Sequence, residues 1–236
     1  MIPLRDDQPI FSTPFVTYFL IGLNVLVFLF EAAIGYQSRG QLNLLLGQFG
    51  VVPRQSIGFL TGNPVFAPAM AFFPMLTSMF LHASWTHVLG NMLMLWIFGD
   101  NIEDYLGHFK FLVFYLLCGF AATFTHILLN PTSLVPSVGA SGAIAGVMGA
   151  YFILYPKARV LIWFPPIFIF HVPAWLMLGY WFVSQFIGGT ATSIGAANQA
   201  GGGGIAFWAH VGGFVAGLLL IKLLPERPQR FRYGTW

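Results

Sequence analysis

Four residues of this chain combine a type and a placement that could do covalent chemistry: Ser141, His210, His87 and Asn91. Ser141 stands in "SVGASGAIAGVMGAY", residues 137–151, between small residues at the mouth of an apolar run. His210 stands in "FWAHVGGFVAGLL", within the first turn or two of another. A serine hydroxyl is a weak nucleophile until a base takes its proton, and an imidazole within hydrogen-bond reach is the usual base. His87 and Asn91, in "HASWTHVLGNMLMLWIFGD", are spaced by four and lie one above the other on one helical face. A serine in "GASG" also reads as a plain helix start, its hydroxyl capping backbone N–H groups. The chemistry therefore turns on whether the elements carrying these residues bring them together.

Those elements belong to a membrane protein. The chain has 236 residues, 57% of them apolar and 7% charged, with a mean hydropathy of +0.78. Ordinary soluble domains carry roughly 25% charged residues. Six segments are apolar enough to cross a hydrocarbon core, which takes about 20 helical residues and fewer where the bilayer is thinned. They fall near 14–34, 84–103, 108–129, 140–156, 172–188 and 206–224. The expected fold class is all-α, a polytopic membrane helix bundle with six transmembrane helices, forming a single domain over 1–236 without linker or internal repeat. Residues of about 35–80 are too broken by Gly and Pro to span and too apolar for a solvated loop, which predicts short amphipathic helices in the interface. The first span follows the polar tail "MIPLRDDQPIFST" and reads as uncleaved.

Charge orients the bundle. Arg5, Lys110, Lys157, Arg159, Lys222, Arg227, Arg230 and Arg232 fall on one side of these spans, Arg39 and Arg54 on the other. The positive-inside rule then puts both termini in the cytoplasm. The net charge of +3 is thereby accounted for by topology anchors, and a nucleic-acid partner loses its support. The single cysteine, Cys118, sits in an apolar run and can form no internal disulfide.

An unsatisfied polar group in a bilayer costs several kcal/mol, so polar residues at membrane depth are paired, face the bundle interior, or function. In this orientation His87, Asn91, Ser141 and His210, from three spans, share one depth in the outer half. Small residues supply the means of approach. Gly142, Gly146 and Ala150 recur every four residues in the fourth span, and Ala209, Gly213 and Gly217 do so in the sixth. Such seams let helix backbones come close. If the two seams face each other, the Ser141 hydroxyl and the His210 imidazole fall within hydrogen-bond reach. Asn24, His126 and Ser184 lack partners at matching spacing and read as interhelical hydrogen bonds. His82 precedes the second span, where it could support His87. His108, at a cytoplasmic turn, and His171, near the start of the fifth span, stay away from the cluster.

Other chemistries find less support. Of the seven carboxylates, Asp6 and Asp7 lie in the tail, Asp100, Glu103 and Asp104 at the inner end of the second span, and Glu226 beyond the last span. Glu31 alone shares the outer half with His210, so a buried aspartate orienting the histidine has no obvious candidate. No two carboxylates face each other at one depth, as an aspartyl intramembrane protease requires. No H-E-x-x-H marks a zinc protease, and the five-residue spacing of His82 and His87 makes a poor metal clamp. A small transporter would place charges or broken helices near the midplane, which the charges here avoid.

The motifs "GASG" around Ser141, "HVGGFVAG" from His210, "HVLGN" from His87 to Asn91 and "FGDNIEDYLG" at the end of the second span occur in this order and on these spans. Together they resemble the rhomboid family of intramembrane serine proteases. The resemblance implies a six-helix core with the serine in a water-filled cavity below the outer surface. It implies Ser141 as nucleophile, His210 as general base, and His87, Asn91 and the Ser141 N–H as the oxyanion hole. Gly139 and Gly142 would admit substrate backbone beside the serine, and the loop of about 188–206, with Gly201–Gly204, would be a mobile cap. The chain departs from some members in having Ala145 where a tyrosine stacks on the histidine, a place that Trp208 or another aromatic could take. It also lacks the Trp-Arg pair of the first long loop.

The expected activity is hydrolysis of peptide bonds in or beside transmembrane segments of other membrane proteins, through an acyl-enzyme, with no cofactor and no metal. Its partners would be transmembrane substrates and the lipid bilayer; the sequence says nothing of oligomeric state. By resemblance the location is a bacterial cytoplasmic membrane. The alternative is a catalytically silent relative that binds transmembrane helices.

Overall fold

The computed structural model describes residues 1–63, 68–196 and 206–227, which are mostly helical. The first apolar run folds as α1 (Phe15–Gln37). The broken stretch after it gives three short helices, α2 (Arg39–Phe49), α3 (Pro53–Leu60) and α4 (Pro68–Thr77), then a 3-10 turn over Ser78–Phe80. Ser38 caps α2, accepting the Gln41 N–H, and Pro53 opens α3, where its missing N–H costs nothing. The later apolar runs form α5 (Trp85–Leu106), α6 (His108–Leu129), α7 (Ser141–Leu154), α8 (Ala174–Ala196) and α9 (Phe207–Leu223). Among the described residues, α1 and α6 are long and apolar enough to cross a membrane by length and composition, and α7 and α9 are shorter apolar helices.

Two expectations about the secondary-structure elements need correction. The helix expected to end at 188 continues to Ala196, so the first part of the anticipated cap loop is helical. Nothing in "GGTATSIGA" stops it: the Thr192 and Ser193 hydroxyls bond back to Gly188 and Gly189 carbonyls of their own helix, and the rings of Phe207 and Trp208 cover Gly188 and Gly189. Gly201–Gly204 lie outside the described residues. The second correction is a three-stranded antiparallel sheet in a fold expected to be all-α. β1 (Ile2–Arg5), β2 (Arg159–Phe164) and β3 (Phe168–Pro173) pair in that order. The strands "RVLIWF" and "FIFHVP", rich in β-branched and aromatic residues around Pro165-Pro166, carry the hairpin signal. His171 lies on β3, not at a helix start.

α7 is the centre of the bundle. Every residue from Gly142 to Tyr151 is buried, with α5, α6, α8 and α9 packed round it. A Cβ at Gly213 would overlap the Gly142 carbonyl, one at Gly217 the Gly146 carbonyl, and one at Gly149 the Phe214 carbonyl. α7 and α9 thus touch backbone to backbone, the approach that only glycine permits.

Carboxylates tie the two ends of the bundle. At one end Glu103 of α5 accepts the Val16 and Thr17 N–H groups at 2.9 and 2.7 Å and the Thr17 hydroxyl at 2.7 Å, capping an α1 whose own N-cap, Pro14, offers no acceptor. At the other end Glu31 of α1, only 1% exposed, accepts the His82 N–H at 3.0 Å. The polar residues expected to link helices bond within their own: Asn24 to the Leu20 carbonyl, Ser184 to the Trp181 carbonyl, and His126 to Asn130 just past the end of α6.

Candidate active site

The segment leading into α7 is held from outside the helix. Ser137 exchanges two backbone hydrogen bonds with Val51, and the Gly139 N–H donates to the Ser78 carbonyl at 2.8 Å. The broken stretch between α1 and α5 is therefore the brace for the turn that delivers Ser141. Gly139 has φ +131°, a region that L side chains avoid, and a Cβ there would press on His87 Nε2 and approach Ser141 Oγ. The glycine is required both by its backbone and by the imidazole lying against it.

Ser141 does not cap α7. The N-cap is Ala140, which makes no side-chain bond, and Ser141 Oγ instead lies 2.7 Å from His210 Nε2. His210 is buried at 9% exposure, and its other ring nitrogen, Nδ1, donates to Gln185 Oε1 at 2.7 Å. That donation fixes the tautomer: with the proton on Nδ1, Nε2 offers its lone pair to the serine hydroxyl. Gln185 is itself oriented, because its Nε2 donates to Ser184 Oγ at 3.1 Å. The Trp181 ring, at 5.6 Å between centroids and 37°, lies against the imidazole where Ala145 offers no ring. Trp208 faces away, with its ring edge-on to Phe186 and its N–H on Ser193 Oγ.

The third helix contributes donors. Ser84 caps α5 by accepting the His87 N–H at 3.2 Å, which sets the first turn, and Asn91 follows one turn on, buried. Asn91 Nδ2 donates to His82 Nε2 at 2.9 Å, leaving its second amide hydrogen for another acceptor. The His82 ring packs edge-on against His87, with 5.0 Å between centroids. His82, read only as a possible support for His87, is thus bonded to Asn91 as well. Glu31 meets the His82 backbone and has no bond to His210.

A cavity of about 20 Å³ adjoins Ser141, bordered by Ser78, Ser137, Gly139, Gly142 and His126. A polar cavity of this size holds a single water, which needs about 10–15 Å³ on this measure. Of the residues singled out in the sequence, Ser141, His210, His87, Gly139 and Gly142 meet around the serine and Asn91 joins them through His82, while Gly146, Gly213 and Gly217 form the seam that joins α7 and α9. Gln185 and Trp181 were not anticipated. The signal for Gln185 is present in the sequence as an amide in the middle of an apolar run, the kind of residue that membrane depth makes costly unless it has a partner.

The Rhomboid domain family matches residues 70–227, a range that holds the whole of this site. Presenilin-associated rhomboid-like protein, mitochondrial, from Bos taurus is 38% identical over 119 residues, covering 50% of this chain and 31% of that protein. Rhomboid-like protein 11, chloroplastic, from Arabidopsis thaliana is 30% identical over 165 residues, 67% of this chain and 54% of that protein. Rhomboid protein 1, mitochondrial, from Saccharomyces cerevisiae is 32% identical over 162 residues, 65% of this chain and 43% of that protein. The matched part is thus between about a third and a half of each relative's length. On the strength of the domain match, the chain belongs to the Rhomboid family of integral membrane proteins.

Proposed function

We propose that this chain is an intramembrane serine endopeptidase whose dyad is Ser141 and His210. The observation that carries the reading is the 2.7 Å approach of Ser141 Oγ to His210 Nε2, with the imidazole proton held on the far nitrogen by Gln185. Ser141 Oγ attacks the scissile carbonyl carbon while His210 Nε2 takes its proton. The oxyanion that forms is met by the Ser141 N–H, which has no helical acceptor in the first turn of α7, and by donors on His87 and Asn91. His210 then returns the proton to the leaving amine as the C–N bond breaks, giving an acyl-enzyme. A water, for which the adjoining cavity has room, hydrolyses the ester with His210 again as base. No step calls for a cofactor or metal.

The same reading places α1, α5, α6, α7, α8 and α9 across the bilayer as one unit, with both termini cytoplasmic in a bacterial cytoplasmic membrane. The balance of basic residues supports the orientation; the organellar locations in the relatives' names are said of those proteins. Substrates are transmembrane proteins whose helix unwinds locally, since a backbone held in helical hydrogen bonds cannot present its carbonyl to Ser141.

The test is reconstitution in proteoliposomes with a fluorescent transmembrane substrate, alongside a fluorophosphonate probe that reacts only with an activated serine. Cleavage together with labelling is expected. Neither cleavage nor labelling would replace the protease with the silent helix-binding relative.

Two further outcomes follow from the geometry. Asn91→Ala removes one oxyanion donor and should lower kcat on the order of a hundredfold with the fold retained; an unchanged kcat removes Asn91 from the oxyanion hole. Gln185 is a positioning residue acting through His210. Gln185→Ala should lower kcat by about 10–100-fold, the worth of a hydrogen bond to a charged partner, with KM little changed. Gln185→Glu, which keeps an acceptor for Nδ1–H, should restore most of it. Loss in both variants alike would mean that Gln185 serves only to pack α8.

A further inference from the structure

The β2–β3 hairpin presents a surface that the catalytic reading does not use. From Phe164 to Phe170, the seven residues Phe-Pro-Pro-Ile-Phe-Ile-Phe are all exposed and all apolar. Ile167 is 76% exposed, Phe168 60% and Ile169 59%, so neighbours that point to opposite faces of β3 are bare alike. A sheet that packs on a core hides one face and shows a polar one; β3 does neither.

Charge is segregated along the same sheet. The register sets Ile2 beside Trp163 and Phe164 beside Phe168 at the turn end, whereas Arg5 pairs with Leu161 and Arg159 with Pro173 toward the base. Lys157 lies just beyond the base, exposed. All three strands are therefore apolar at one end, with the basic residues Arg5, Lys157 and Arg159 at the other.

The base also has a defined place on the bundle. The Asp7 carboxylate accepts the Arg159 N–H at 2.9 Å, which holds that carboxyl below its usual range, and Asp6 accepts the Tyr151 hydroxyl near the end of α7. At the same end of the bundle Glu103 caps α1 and takes the His108 ring N–H at the start of α6. The sheet thus springs from the end of the bundle where α1 and α6 begin, at the opposite end of α7 from Ser141.

We infer that this hairpin docks on the bilayer itself, its aromatic turn seated among the acyl chains just below the headgroups and its basic base against anionic lipid phosphates. Basic groups near such a surface are attracted to it, and exposed Phe and Ile side chains bury their apolar area at the boundary of headgroups and acyl chains. A seat in the hydrocarbon centre is ruled out by β3 being an edge strand, whose outward N–H and C=O groups need water or headgroups. The base-to-turn reach of about 17 Å exceeds the ~5–10 Å depth of the interfacial layer, so the hairpin lies tilted along it. Since β3 runs directly into α8 at Ala174, the anchor holds the first turn of the helix that carries Gln185.

The inference needs the membrane but not the protease, and it is tested without an activity assay. Cys118 is fully buried, so Ile167→Cys and Phe168→Cys variants of the full chain can be spin-labelled in vesicles of phosphatidylglycerol and phosphatidylcholine. Collisions with oxygen, which concentrates in lipid, are compared with those of a water-soluble nickel chelate. Labels at 167 and 168 should show an oxygen-to-nickel ratio several-fold above that of Lys157→Cys at the base and close to that of Leu219→Cys on the exposed face of α9. A ratio equal to that at 157 would place the turn in water and overturn the proposal. Shielding from both reagents would overturn it too, by showing the surface covered by protein, a second copy included.

Discussion

Ser141→Ala is expected to abolish both substrate cleavage and fluorophosphonate labelling while leaving a folded protein. The rate argument is that removing the nucleophile of a serine-histidine pair costs on the order of 10⁶ in kcat. The stability argument runs the other way. The hydroxyl does not cap α7, and among the described residues the bond it loses is the one to His210 Nε2. An unpartnered buried acceptor costs about 1–3 kcal/mol, and the adjoining cavity lets a water restore part of that. The unfolding temperature should therefore stay near the parent's while turnover vanishes. His210→Ala should reach the same floor, and the double variant should fall no lower, because residues that act as a unit are not additive. Residual cleavage in Ser141→Ala at the parent's rate would move the activity to another residue or a contaminant. A double variant well below either single would deny that the two act together.

Ser141, His210, His87 and Asn91 were legible because a bilayer makes polar residues conspicuous and because glycine seams say which helices approach. Gly142 and Gly146 facing Gly213 and Gly217 is a contact that sequence spacing alone can propose. Gln185 has the same polarity at depth, but its partner is not a spaced neighbour: it is a histidine on another helix, reached only once α8 is placed against α9. Behind His210, where the sequence offers no carboxylate, the structure sets an amide. A neutral amide can hold the imidazole proton without bringing a second charge into an apolar site, where an unpaired carboxylate is expensive.

The sheet was hidden for a different reason. Its strands are apolar on both faces, so "RVLIWFPPIFIFHVP" has neither the alternation of a half-buried strand nor the length of a span, and its end was absorbed into the helix that follows. The extension of α8 was missed because glycine and threonine read as loop. In place, Phe207 and Trp208 of α9 lie over Gly188 and Gly189, and tertiary packing overrides the weak local preference.

Gly213→Ala and Gly90→Ala make the same chemical change inside helices and should have opposite effects. Gly90, exposed on α5, has nothing within 4 Å of an added Cβ, so alanine there should stabilise by up to about 1 kcal/mol through helix propensity and a less free unfolded chain. Gly213 has the Gly142 carbonyl where the Cβ would go, and backbone cannot rotate away as a side chain can. The helices must part, a cost at the upper end of the ~1–3 kcal/mol of overpacked cores or beyond it. At roughly 2–4 °C per kcal/mol for a protein of this size, the unfolding temperature should fall by about 6–12 °C. The rate should suffer separately. His210 lies one turn before Gly213 and Ser141 precedes Gly142, so the displacement falls directly on the 2.7 Å hydrogen bond between them. A misplacement of about 1 Å costs on the order of a hundredfold, so the folded fraction of Gly213→Ala, isolated below its unfolding temperature, should cleave far more slowly than the parent while Gly90→Ala keeps full rate. Full rate and full stability in Gly213→Ala would mean that α7 and α9 do not meet at backbone distance and that the seam does not set the dyad. Low stability with full rate would mean that the seam builds the bundle and leaves the dyad's spacing to Gln185 and α8.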